Sequence, residues 1–154
     1  MYRIRRMALD PLRLAEHVHG HAGWLAAATL VHPAIVLRNP KRRAHLAVGL
    51  STGFVTVAAA IGIWLYDLYR ERLKQGIFLS APSIGWLFER KEHLAFGAVL
   101  LAWAGAASYY GATRATEKTS ALLRVLAFRA FALAAAIAIL VAVLGTIVAV
   151  HRSF

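Results

Sequence analysis

HPAIVLRNPKRRAHLAVG, residues 32–49, closes one apolar run, turns, and opens another. Arg38 ends the first run, and Asn39-Pro40 sets an N-cap candidate before a proline, which is tolerated at the first helical position. So short a connection makes the two flanking helices antiparallel neighbours. Working outward from that turn, residues 17–37 and 44–66 contain no Asp, Glu, Lys or Arg, and neither do residues 93–113 and 130–150. Each run is about 20 residues long, which at roughly 1.5 Å per residue crosses a hydrocarbon core of about 30 Å. The expected fold is all-α: an integral membrane four-helix up-down-up-down bundle. It forms a single membrane domain over residues 1–154, with spans at about 11–38, 40–72, 83–113 and 120–151. Four spans put both termini on the same side of the bilayer.

Composition agrees with that class. The chain is 60% hydrophobic with a mean hydropathy of +0.59. Its net charge of +11 sits in loops and at helix ends, where Lys and Arg meet lipid phosphates, so the lipid bilayer rather than nucleic acid is the expected partner. The basic start, Met1 to Arg6, lacks a cleavage site, and no secretory signal is expected. A bacterial inner membrane is the expected location. Ten Lys and Arg on the side of the termini against eight on the other leave orientation open. With no cysteine, disulfides and thiolate-held metals or clusters are excluded.

Asp10-Pro11 starts the first helix. The second helix is expected to fray over residues 72–75, with Gly76 as a stop. Residues 76–88 are apolar but too short to span; either Ala81-Pro82-Ser83 opens the third helix early, or the segment lies at the interface with Trp86 as an anchor.

An imidazole inside a membrane needs a partner or a metal. His32 lies six residues before Arg38 and His45 six after Asn39, so both sit roughly 9 Å from the turn on adjacent antiparallel helices. Two histidines at equal depth could coordinate a haem iron from opposite faces; equally, they could be interface histidines bonded to backbone or headgroups. Pro33 frees a carbonyl one turn earlier. On the opposite side, His17 and His21 share a face while His19 points elsewhere, and His21 and His32 lie eleven residues apart along one stripe. His93, eleven residues beyond Pro82, matches the height of His21; a later start for that helix would favour His17. The metal-ligand candidates are thus His32, His45, His21 and His93. Arg38 and Arg43 could pair with haem propionates. The pair Gly49-x-x-x-Gly53 suits either a macrocycle near the backbone or ordinary helix packing. Trp24, Trp64, Trp103, Tyr109 and Tyr110 read as packing or interface residues, and Asp67 is a candidate for proton uptake.

A histidine-proline at one helix end, a short basic turn, then His45-Leu46-x-x-Gly49 resembles small membrane cytochromes b. That group includes the quinone- or ascorbate-linked bundles and the haem-bearing anchors of respiratory dehydrogenases. The resemblance covers residues 16–69 and, around His93, residues 89–110. It implies one or two b-type haems with His32, His45, His93 and one of His17 or His21 as axial ligands, and quinone as a further cofactor. The chain differs from the larger ascorbate-linked proteins in having four spans and no ligand inside the last helix, since His151 lies at its far end. That difference bears on the second haem more than on the first.

Three functions therefore compete. The first is an electron-transfer subunit of an oxidoreductase complex, passing electrons between quinone or a redox partner and a larger assembly. The second is a cofactor-free structural or assembly subunit of a multi-subunit membrane complex. The third is a metal site or transporter built on His17, His19 and His21 with Glu16, Glu92 or His93. Nucleophile elbows, phosphate-cradling loops and paired catalytic carboxylates are missing, which argues against a stand-alone hydrolase or kinase.

Overall fold

The computed structural model describes residues 11–39 and 42–150. The Asp10 cap, Pro40 and His151 fall outside them. The described chain is helical throughout: α1 (Pro11–Val36), α2 (His45–Tyr69), a π turn (Arg70–Lys74), α3 (Gln75–Ser80), α4 (Pro82–Ala112) and α5 (Glu117–Val150). Three of these, α2, α4 and α5, are long and apolar enough to cross a membrane. The protein is a multi-pass integral membrane protein. At 26 residues α1 is long enough to cross, but four histidines, two glycines and two prolines dilute its hydropathy. It is the expected fourth span that composition does not mark.

Helix α4 packs on α5, α1 packs on both α2 and α5, and α2 packs on α4. The shared core is made of small side chains around a few large ones: Ala26, Ala27, Leu30, Val48, Ala98, Ala102, Tyr109, Phe131 and Ala134. Lipid is as apolar as leucine, so these helices associate through close packing and interhelical hydrogen bonds rather than through expulsion of water. Close approach is visible at Gly105, where an added Cβ would lie 2.9 Å from the Phe131 ring. A smaller cluster of Tyr69, Phe88 and Val148 closes the far end, with the Tyr69 and Phe88 rings stacked 4.0 Å apart.

Two boundaries depart from expectation, and a third follows one of its two alternatives. Helix α2 begins at His45, not at Pro40, after a turn in which Arg42 N–H bonds Asn39 O. Its first donor is satisfied from outside, because Ala44 N–H donates to the Tyr109 hydroxyl at 2.7 Å. Gly76 stops nothing: the helix passes through the π turn and continues in α3, and no glycine among the described residues has positive φ. The break comes at Ala81 (φ −147°, ψ 76°), because a residue before proline is driven out of the α region. Pro82 then starts α4, so Trp86 is a residue of that helix. The Lys74 ammonium pairs with the Glu89 carboxylate across this bend, which holds Lys74 above its ordinary pKa.

Candidate functional site

Pro33 is fully buried in the last turn of α1. Lacking an N–H, it leaves the Thr29 carbonyl without an intrahelical partner, and an orphan carbonyl in a membrane core is costly. Ser51 Oγ, on α2, lies 2.6 Å from Thr29 O and also 2.6 Å from Ala47 O of its own helix, sharing one proton between the two carbonyls. This bond ties α1 to α2 one turn from His32.

His32 and His45 line one groove of about 300 Å³, together with Val36, Arg43, Ala44, Leu46 and Ala47. The His45 ring sits edge-on to Tyr109 at 5.3 Å and roughly parallel to Tyr110 at 6.0 Å, and the Tyr110 hydroxyl bonds His45 O. The sequence marks these tyrosines only as packing or interface residues. Their position four and three residues before Thr113, at the end of an uncharged run, was the available signal that they reach the start of α2. Arg43 is the guanidinium of this groove. Arg38 is elsewhere, lining a separate groove of about 450 Å³ between α1 and α5.

The second histidine pair is arranged differently. His21 and His93 are both exposed, on α1 and α4, whose packing partners are α2 and α5 rather than each other. The space between those helices holds the packed alanine core, and the buried polar side chains among the described residues are Ser51 and Thr52. His93 Nδ1–H donates to Glu89 O at 2.8 Å, leaving Nε2 as its lone-pair nitrogen. His17 is exposed, and His19 turns towards α2, where its ring lies within 2.8 Å of where a Cβ on Gly62 would be. Among the described residues no three His, Cys, Asp or Glu side chains converge to hold a metal ion, so the α1 histidines do not gather with Glu16, Glu92 or His93.

The glycines separate by use. Gly62, Gly85 and Gly105 each face a side chain closer than a Cβ would allow. Gly49 and Gly53 lie on an exposed face of α2; a Cβ on Gly53 would meet nothing within 4 Å, and one on Gly49 only the Tyr110 hydroxyl at 3.6 Å. No protein-family model, curated protein or solved structure matches the chain.

Proposed function

We propose that the chain is a cofactor-free structural or assembly subunit of a multi-subunit membrane complex, folded as a four-span up-down-up-down bundle with both termini on one side. The observation that carries this reading is the outward face of Gly49-x-x-x-Gly53. Small residues four apart let a second helix approach closely, and among the described residues only the Tyr110 hydroxyl comes within 4 Å of where their Cβ atoms would be. Leu46 and Leu50 are exposed beside it, at 79% and 58%. The interior supports the same reading, because its buried polar side chains are hydroxyls and its large contacts are alanine against aromatic rings.

The test is purification from its own membranes in mild detergent, followed by mass and absorbance. The expected product is colourless and heavier than the 16.8 kDa chain. Gly53→Ile alone, where an added Cβ meets nothing within 4 Å, should reduce it to chain mass while leaving helicity and thermal midpoint unchanged.

One observation favours a second reading, electron transfer through a single b-type haem. His32, His45 and Arg43 share a groove, supplying two imidazole donors and a propionate partner, although about 300 Å³ is at the lower end of cofactor sites. Haem bound there would supply one-electron exchange with quinone or a redox partner. A low-spin haem b difference spectrum that His45→Ala abolishes would replace the structural reading with this one.

A further inference from the structure

We infer that the groove between the end of α1 and the start of α5 binds the headgroup of an anionic phospholipid. It is about 450 Å³ and is lined by Leu37, Arg38, Ala121, Arg124, Val125 and Phe128. Two guanidiniums thus stand over an apolar floor. On α5 the order is amphipathic along the axis: Arg124 lies near the helix start, and Phe128 one turn deeper, towards the hydrocarbon. A phospholipid has the same order, with its phosphate at the interface and its acyl chains below. Guanidinium is the side chain best matched to phosphate oxygens, which it grips with paired donors.

Charge complementarity selects the lipid class. No carboxylate lines the groove, so the ammonium of a zwitterionic headgroup would have no partner there. The asymmetry extends to the whole end of the molecule. Arg38, Arg42, Arg43, Arg114, Lys118 and Arg124 gather around the two turns, and among the described residues Glu117 is the acid there. Glu16, Asp67, Glu71, Glu89 and Glu92 all lie towards the opposite end. Basic recesses between membrane helices of this kind hold acidic headgroups. A free phosphate would share the guanidinium chemistry but make no use of Val125 and Phe128. The inference rests only on the membrane setting and is independent of which partner or cofactor the protein takes.

The experiment is native mass spectrometry of the full chain released from nanodiscs holding equal phosphatidylglycerol and phosphatidylcholine. Retained phosphatidylglycerol should exceed phosphatidylcholine roughly tenfold. Arg38→Gln with Arg124→Gln should bring the ratio near parity, whereas Arg114→Gln with Lys118→Gln, at the same end but outside the groove, should leave it. Millimolar inorganic phosphate should not displace the lipid. Parity in the unaltered protein, an equal loss in the control pair, or displacement by phosphate overturns the assignment. If the double variant does not fold, the two single changes, each lowering the ratio roughly threefold, make the same comparison.

Discussion

At the scale of the residue, a missing amide proton organises one helix pair. Pro33 orphans the Thr29 carbonyl, and Ser51 from the next helix supplies the proton. Interhelical hydrogen bonds in membranes average about 0.6 kcal/mol with a maximum near 1.7 kcal/mol. Ser51→Ala should therefore lower stability by roughly 1 kcal/mol in detergent unfolding. In a Pro33→Ala background the backbone can satisfy Thr29 itself, so the same change should cost close to nothing. Additive effects in that double-mutant cycle would refute the coupling. Glycine gives a second contrast. Gly105→Ala drives a methyl to 2.9 Å from the ring of fully buried Phe131, which cannot swing away. The expected cost is about 1–3 kcal/mol. Gly53→Ala meets open space and should be neutral or slightly stabilising through helix propensity. Thermal melts that rank the two the other way would contradict the packing.

At the scale of the element, α1 is the helix on which composition and packing disagree. It lacks the sustained hydropathy of α2, α4 and α5, yet it packs along α2 and α5. Its histidines explain the low hydropathy; of them His19 is packed, turned onto Gly62, while His17, His21 and His32 are exposed, and Pro33 is answered by Ser51. The chain has no cysteine, so single cysteines are clean reporters. Arg13→Cys and Asn39→Cys should react with an impermeant maleimide from opposite faces of a sealed vesicle if α1 crosses. Labelling of both from one face would reduce the bundle to three spans. The bend between α2 and α4 follows the same local logic. Pro82 was legible as a helix start, whereas Gly76 carried no information, because a glycine ends a helix only where the backbone turns left-handed and here it does not.

At the scale of the whole molecule, the question is what an apolar bundle with exposed imidazoles is for. A colourless preparation that keeps a partner through the Gly49–Gly53 face would fit a scaffold, and a haem b spectrum lost in His45→Ala would fit a redox subunit. The two outcomes exclude one another at His45. The uncharged runs, the prolines and the equal distances of His32 and His45 from their turn were all readable from the chain, because helix length and rise are local properties. That arithmetic gives those two imidazoles one depth, and the packing of α1 on α2 places both on the lining of one groove. Other features depended on which helix neighbours which. Arg38 and Arg43, five residues apart, line different grooves because α5 packs beside α1 on one side of the turn. His21 and His93 are both exposed, on α1 and α4, helices whose main contacts are with α2 and α5. Tyr109 meets the start of α2 across 65 residues of chain. Depth along a helix is set by counting residues, but the azimuth of a side chain and the identity of its neighbour are set by how all the helices close around one core.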